Sequence, residues 1–310
     1  MSCNKRTHDL AMDHLQNKVS EDEPRHSKRT KVAKSFGPDF LTFLLENEPK
    51  TFKEAMSTPE APFWKEAINS EIESIMQNHT WEIVDLPSCI KPLGCKWIFK
   101  KKLKSDGSIN KYKARLVAKE FKQKEGLDFF DTYSPVIRIT YIRLLIAIAT
   151  LYYLEIHQMD VKTAFLNGEL EEKNYMEQPE VFVVPGKEKM VCRLVKSLYG
   201  LKQAPKQWHI KFDNVMVSNG FKINEYDKCM YAKMTPKSYV LVCLYVDDML
   251  IIGSTIELIM TTKRMLNSHF DMKDIGKVDV FLGIKISKTS TWLVLSQSHY
   301  IEKILNDTSK

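Results

Sequence analysis

The sequence has 310 residues, of which 44% are hydrophobic and 27% are charged, a composition typical of a globular protein. Its net charge of +7 is too small to establish a polyanionic partner by itself. The six cysteines are scattered without zinc spacing, and the N-terminus lacks the apolar core of a signal peptide. The apolar runs fall short of the roughly 20 residues that a membrane span needs. We therefore expect a cytoplasmic protein without disulfides, structural zinc or membrane contact.

The N-terminal part is expected to lie outside the main domain. Residues 1–36 are polar and have neither a helical nor a strand period, which predicts a disordered tail. Its basic cluster at 25–31 (RHSKRTK) suits nuclear import or nucleic-acid binding, although a solvated charge run is the simpler interpretation. Residues 37–78 are predicted to form lead-in helices, a short one at 39–47 and an amphipathic one at 63–77. The apolar stripe of the second helix predicts core packing: Trp64, Ala67, Ile68, Ile72, Ile75 and Met76.

A strongly cationic hairpin is predicted next. Strand-like runs at 95–103 and 109–121 flank an Asp-Gly pair, which is a strong hairpin signal. Residues 95–124 contain eleven Lys or Arg and two acids, a local net charge of +9. Three cations alternate along the second run and so share one face of it: Lys111, Lys113 and Arg115. This face suits a triphosphate or a nucleic-acid backbone, but lysines that protect a sheet edge explain the pattern equally well.

Apolar patterns predict the remaining elements. Helices are expected at 140–152, 206–218 and 258–270 and from residue 299, and strands at 154–160, 280–286 and 292–295. The glycine-bearing run SLYGLKQAP precedes the helix at 206, where a ligand could approach the backbone and a helix N-terminus. Such turns are also common in proteins without a ligand at that place.

The chain is organised around residues 239–252, YVLVCLYVDDMLII. Eight apolar residues precede Asp247 and Asp248, and four follow them, which predicts a buried hairpin with two carboxylates at its turn. An acidic surface turn is the alternative. Asp160 ends the predicted strand at 154–160; alone it resembles a helix N-cap, but with the other two acids it could complete a two-metal site for phosphoryl transfer.

Eight sequence blocks in order now point to a family. They are CKWIFK, DGSINKYKARLVAK, HQMDVKTAFLNGEL, YMEQPE, VCRLVKSLYGLKQAPKQW, YVDDMLI, FLGIKIS and LSQSHYIEKIL. The chain resembles the reverse transcriptase of copia-type LTR retrotransposons, the kind found in plant Pol polyproteins, over residues 79–310. The resemblance implies an α+β right-hand polymerase of fingers and palm. The palm would be an antiparallel sheet backed by helices, and the thumb would be largely missing from a truncated copy.

The resemblance also implies roles for individual residues. Asp160, Asp247 and Asp248 would be catalytic and, with the carbonyl of Val161, would hold two Mg²⁺ ions, with Mn²⁺ as an alternative. The incoming dNTP would meet three side chains: Lys113, Arg115 and Phe165, the last excluding a 2′-hydroxyl. Template and primer would contact Tyr245 and Met249 beside the acids, the loop residues Gly200, Lys202, Gln203 and Pro205, and the primer-grip residues Phe281, Leu282 and Gly283.

Three other hypotheses stay open at this point. An inactive truncated remnant of a retroelement would keep the fold, and a non-catalytic nucleic-acid-binding module would use only the cationic hairpin. A metal-dependent nuclease or cyclase on a similar palm is more distant. For an active polymerase we expect an RNA or DNA template with a primer as partner. We also expect a homodimer or a partner chain that supplies the thumb and RNase H.

Overall fold

The computed structural model describes residues 48–88, 90–103, 108–180, 182–288, 293–298, 301–302 and 305. Its helices are α1 (Phe52–Ser57), α2 (Ala61–Gln77), α3 (Ile139–Leu151), α4 (Ala204–Ser218) and α5 (Ile256–His269), with short 3₁₀ helices at Glu120–Lys122 and Ala164–Asn167. Its strands are β1 (Trp81–Val84), β2 (Cys95–Leu103), β3 (Ile109–Ala118), β4 (Glu155–Val161), β5 (Glu169–Met176), β6 (Val191–Lys196), β7 (Lys222–Ile223), β8 (Met230–Met234), β9 (Tyr239–Tyr245), β10 (Asp248–Gly253), β11 (Met272–Lys277), β12 (Val280–Phe281), β13 (Ile284–Lys288) and β14 (Leu293–Ser296).

The fold is a mixed α/β structure in which the ladders between these strands are antiparallel. The largest sheet has the strand order β11-β4-β10-β9-β8-β7. Four consecutive residues of β10 are fully buried: Met249, Leu250, Ile251 and Ile252. Such a continuous apolar run is expected of a strand that is covered on both faces. Side chains of α3, α4 and α5 complete this core, so the predicted buried hairpin is the centre of the sheet.

The cationic hairpin packs on the lead-in helix through its apolar face. Strand pairing places Lys100 opposite Lys113 and Lys102 opposite Lys111, so cations of both strands share one face as predicted. The other face carries Trp97, Phe99 and Leu116 into a second core with the α2 stripe. Proline in the first turn of α2 fits its start, because the first amides of a helix have no intrahelical partner. Met76 does not join the stripe and is 45% exposed, so that part of the prediction was wrong.

One predicted strand is two strands. The run at 280–286 folds back at Leu282 and Gly283, and Phe281 pairs with Ile284. Both turn residues have positive φ, 49° and 76°, which is the pattern of a type I′ hairpin turn. Glycine readily adopts a positive φ at the second turn position. Leucine at the first position is unusual, so the sequence pattern did not predict a turn there.

Other elements differ at their ends or were not predicted. α4 begins at Ala204 because Pro205 fits its first turn. The connecting stretch at 49–62 contains α1, whose first turn is capped by the Thr51 hydroxyl. The short or irregular strands β1, β5, β6, β8 and β11 had too little alternation to be recognised. The tail at 1–36, the helix at 39–47 and most of the predicted terminal helix lie outside the described residues. No helix within the described ranges is both long and apolar enough to cross a membrane.

Gly200 lies against the end of β3, and its substitution gives a first prediction. Its φ is +92°, and a Cβ there would collide with the Ala118 carbonyl oxygen and lie 2.6 Å from Val117 Cγ1. Gly200→Ala should therefore lower the free energy of unfolding by about 3 kcal/mol or more, measured by urea titration. Gly126 has a similar φ of +75° with open space around it.

Gly126→Ala is thus the matched control, and it should cost only about 1 kcal/mol, the cost of the left-handed backbone. Equal losses for both alanine variants would show that the close approach at Gly200 does not matter to stability.

Candidate active site

Three carboxylates meet at one end of the central sheet. Asp160 in β4 is the direct antiparallel partner of Asp248 in β10. Asp247 lies beside them in the two-residue turn between β9 and β10, and its carbonyl oxygen accepts a hydrogen bond from the Val161 amide at 2.8 Å. The structure therefore brings together the three acids that the sequence analysis selected. Asp160 and Asp248, which are 88 positions apart in sequence, become neighbours through strand pairing.

The acids are held close enough to disturb one another. Burial, followed by the charges of Asp247 and Asp248, raises the pKa of Asp160 above its ordinary range. Burial also raises the pKa of Asp248, although a hydrogen bond from Gln158 Nε2 to its Oδ1 at 3.2 Å opposes the shift. Like charges in a partly buried site disfavour ionisation, and an opposite charge would relieve this cost.

The donor set of the three acids suits a divalent cation in its chemistry. Among the described residues, no three His, Cys, Asp or Glu side chains converge into a group that could hold a metal ion. The three acids nevertheless offer hard oxygen ligands on neighbouring backbone positions, and rotation of short Asp side chains could bring these oxygens together. Burial and neighbouring negative charge raise the pKa of Asp160 and of Asp248, so a cation would relieve a cost that is already present. The residues thus fit Mg²⁺ in chemistry and in charge.

The cations of the hairpin and the acids of the central sheet influence one another's ionisation. Burial, followed by the charges of Arg115, Lys102 and Lys111, lowers the pKa of Lys113. The charge of Asp160 opposes this shift. The charge of Lys113 in turn opposes the rise of the Asp160 pKa. Because Coulomb interactions fall with distance, this mutual effect indicates that Lys113 and Asp160 lie near each other.

An aromatic pair lies beside Arg115. The rings of Phe165 and Tyr199 are 5.5 Å apart, and the Arg115 guanidinium lies 4.2 Å from the centroid of Tyr199. Burial raises the pKa of Tyr199 to about 12, while Arg115 opposes this shift. Phe165 is half-buried and borders both cores. Arg115 is thus held over an aromatic ring, a geometry that favours a guanidinium.

A buried carboxyl lies behind this face. Glu71 in α2 accepts a weak hydrogen bond from the Leu116 amide at 3.4 Å, and burial raises its pKa to about 7 despite the nearby Arg115 and Lys113. The lead-in helix therefore contributes a titratable group to the electrostatics of the cationic face.

The predicted nucleic-acid contacts divide by burial. Lys202 is exposed, and Gly200, Pro205, Tyr245, Leu282 and Gly283 keep part of their surface. Gln203, Met249 and Phe281 are almost fully buried. Gln203 bonds to the Gln123 side chain and to the Asp128 carbonyl instead. The side chains of these three residues support the site from inside and offer no surface to a strand of nucleic acid.

Sequence reasoning missed three residues that contact the site. Gln158 bonds to Asp248, Tyr199 lies under Arg115, and the Trp208 indole bonds to the Val246 carbonyl. Gln158 had a detectable signal, because it lies two residues before Asp160 and therefore shares a strand face with it. The other two contacts join elements distant in sequence, and no local pattern predicts them.

A family model described as reverse transcriptase (RNA-dependent DNA polymerase) matches residues 78–309. The chain belongs to this family. It is 46% identical over 286 residues to the retrovirus-related Pol polyprotein from transposon TNT 1-94 of Nicotiana tabacum, covering 91% of this chain and 22% of that protein. It is also 42% identical over 270 residues to the Pol polyprotein from transposon RE1 of Arabidopsis thaliana, covering 87% of this chain and 18% of that protein.

The chain thus spans 22% or less of the length of these two curated relatives. Their names agree with the copia-type resemblance of the sequence blocks. Among solved structures, a foamy viral protease-reverse transcriptase in complex with double-stranded DNA is 13% identical with a TM-score of 0.40, covering 78% of this chain and 36% of that one. A truncated apo telomerase from Candida tropicalis is 9% identical with a TM-score of 0.35, covering 76% and 60%.

The mutual repulsion of the acids makes a prediction for stability. Because the pKa of Asp160 is raised above its ordinary 3.8, the folded chain binds this proton more tightly than the unfolded chain. Its contribution to the free energy of unfolding must therefore fall as the pH rises from about 4 through the folded-state pKa. Asp160→Asn removes the charge, so without divalent cations it should be more stable than the parent chain at pH 8.

Urea titrations at pH 4 and pH 8 in EDTA measure this difference. The stability advantage of Asp160→Asn should be larger at pH 8 than at pH 4. An advantage that is the same at both pH values, or an unstable variant at pH 8, would contradict the electrostatic account.

Proposed function

We propose that this chain is the nucleotide-adding part of an RNA-directed DNA polymerase, which extends a primer on an RNA or DNA template with deoxynucleotides. The observation that carries the proposal is the pairing of Asp160 with Asp248 beside Asp247, with Lys113 near enough for its charge to lower the pKa of Asp160. Carboxylates that can hold metals opposite cations that can hold a triphosphate are the parts that phosphoryl transfer needs. Membership of the reverse transcriptase family supports this choice over a nuclease or a cyclase.

In this proposal the central sheet is the palm and the β2–β3 hairpin belongs to the fingers. The palm carries the acids on its middle strands, where a fully buried core fixes them. Lys113 and Arg115 of the hairpin would hold the phosphates of an incoming nucleotide. Rigid strands on both sides suit a reaction whose catalysis depends mainly on positioning and charge.

Asp160, Asp247 and Asp248, with the Val161 carbonyl, would hold two Mg²⁺ or Mn²⁺ ions. When bound, such a pair supplies a more acidic primer 3′-hydroxyl and neutralises charge on the transferred phosphoryl group. Gln158 orients the Asp248 carboxylate through the hydrogen bond to its Oδ1. The half-buried ring of Phe165, braced by Tyr199, would lie under the sugar and exclude a 2′-hydroxyl.

Template and primer would meet the exposed part of the predicted set. Tyr245 lies at the end of β9, directly opposite Asp248, and so borders the place of the primer end. Lys202, Gly200 and Pro205 border the aromatic pair on the other side, and Leu282 and Gly283 form the tip of the β12–β13 hairpin. The homodimer, the partner chain with thumb and RNase H, and the nuclear signal at 25–31 stay predictions.

Primer extension tests the proposed function. The chain, a labelled DNA primer on an RNA template, dNTPs and Mg²⁺ at low salt should give extended product. Asp247→Asn and Asp248→Asn should each lower the extension rate by roughly 100-fold or more, because the metals that they hold contribute several kcal/mol. Asp271→Asn is the control, since this exposed acid forms an ion pair of small value with Lys162.

The outcomes separate the competing hypotheses. No extension with retained binding of primer-template would indicate an inactive remnant or a binding module. No extension and no binding would also remove the nucleic-acid role of the cationic face. Equal rates for Asp247→Asn and the control would show that the carboxylates do not act in the reaction.

Phe165→Ala tests the sugar contact. Removing the ring opens the space beside Tyr199, so the ratio of rGTP to dGTP incorporation should rise roughly tenfold or more. Phe63→Ala is the control, because Phe63 stacks on Tyr112 at the other face of the hairpin, with ring centroids 5.1 Å apart. Single-nucleotide incorporation kinetics with both nucleotides give the ratio. An unchanged ratio in Phe165→Ala would show that the ring does not meet the sugar.

A further inference from the structure

The turn that presents Asp247 has a backbone conformation that its sequence disfavours. Val246 is the first of the two turn residues and has a φ of 58°. A positive φ at this position, followed by an ordinary φ at Asp247, is the pattern of a type II′ turn, in which glycine usually occupies the first position. A β-branched residue in the left-handed region is strained and persists only where the surroundings hold it.

The side chain of Trp208 bonds directly to this turn. Its indole Nε1 donates a hydrogen bond of 2.7 Å to the carbonyl oxygen of Val246. The ring is 2% exposed and packs against Phe212 and Phe270, with centroids 5.5 Å and 5.1 Å away. The indole therefore cannot turn aside without opening the core of the central sheet.

The distance of Trp208 from the turn is set by the segment that follows Asp160. A Cβ at Gly168 would lie 2.9 Å from the backbone nitrogen of Trp208, so only glycine allows α4 to approach this closely. The next carbonyl of the turn, that of Asp247, accepts the Val161 amide at 2.8 Å. Both carbonyls of the turn are thus held, one from α4 and one from β4.

We propose that Trp208 is a positioning residue for the acid-bearing turn, whose indole N–H keeps Val246 in the left-handed conformation that presents Asp247 and Asp248. Only its kinetic consequence rests on the proposed function. The conformational consequence concerns the turn itself and can be measured without any polymerase activity.

Hydrogen exchange of the Val161 amide reports directly on the turn, because this hydrogen is bonded to the Asp247 carbonyl. Trp208→Phe keeps an aromatic ring and removes the N–H donor. It should speed Val161 exchange about tenfold relative to amides in the middle of β10. In a Val246→Gly background, where the left-handed conformation is not strained, the same substitution should change exchange less than about threefold.

Kinetics give a second readout. In single-turnover extension, Trp208→Phe should lower the rate at saturating dNTP about tenfold and leave the apparent dNTP affinity within about threefold, since the cationic face is untouched. If Trp208→Phe changes Val161 exchange and the extension rate as much in the Val246→Gly background as in the parent chain, the proposal is overturned and Trp208 is a packing residue. Much smaller changes in the Val246→Gly background support the proposal.

Two further variants serve as a control and as a replacement if Trp208→Phe does not fold. Trp64→Phe is the matched control, because Trp64 is fully buried yet its Nε1 has no hydrogen-bond partner among the described residues. It should leave Val161 exchange unchanged relative to β10. If Trp208→Phe does not fold, 3-benzothienylalanine at position 208 keeps the bicyclic shape and replaces only the N–H.

The failure of the proposed function is distinguishable from that of this inference. If the parent chain extends no primer, the polymerase proposal fails while the exchange comparison still decides the role of Trp208. Val161 exchange that is unaffected by loss of the N–H would overturn the inference even in an active enzyme.

Discussion

The pairing of β4 with β10 is the interaction on which the site depends. It places Asp160 directly opposite Asp248, although like charges across a ladder destabilise a sheet. Burial of the apolar residues that continue both strands into the core offsets this repulsion. Met159 and Met249, for example, are also paired with each other and are fully buried. A slip of one residue would expose that core, so burial fixes the register, and the register fixes the distance between the acids.

Close backbone contacts then connect this pair to the rest of the molecule. Gly168 lets α4 approach the segment after Asp160, and Gly200 lets the loop before α4 meet the end of β3. The amide of Ala118 completes the second contact by donating to the Tyr199 carbonyl at 2.8 Å. The cationic hairpin and the acid-bearing sheet are therefore linked through one helix and the loop that enters it. A change at either glycine would alter the distance between cations and carboxylates without touching either group.

The sequence predicted most of what depends on local pattern. The hairpin at 239–252, the helix ending at Gln77 and the shared face of Lys111 and Lys113 follow from periodicity and turn chemistry, and the structure confirms them. The pattern suggested that Asp160 could join Asp247 and Asp248, but it did not predict the order of strands that makes Asp160 the partner of Asp248. Contacts such as Trp208 with Val246 depend on how α4 docks, which no local signal specifies. The turn at Leu282 was not predicted for a related reason. Leucine does not favour a positive φ, so its conformation depends on its surroundings and not on local sequence.

Charge explains why such a site is built on rigid strands. Burial and the neighbouring acids raise the pKa of Asp160, and burial and the neighbouring cations lower the pKa of Lys113, so each of these groups is held where its ionisation is disfavoured. In an isolated flexible segment, groups of like charge would simply move apart. Here strand pairing, buried cores and the bonded turn prevent that movement, and the repulsion remains in the folded chain as a free energy that ligands can release. A divalent cation among the acids and a triphosphate under the cations would each remove part of it. Binding of either ligand should therefore stabilise the fold and favour binding of the other, because each presents the charge that the opposite cluster lacks.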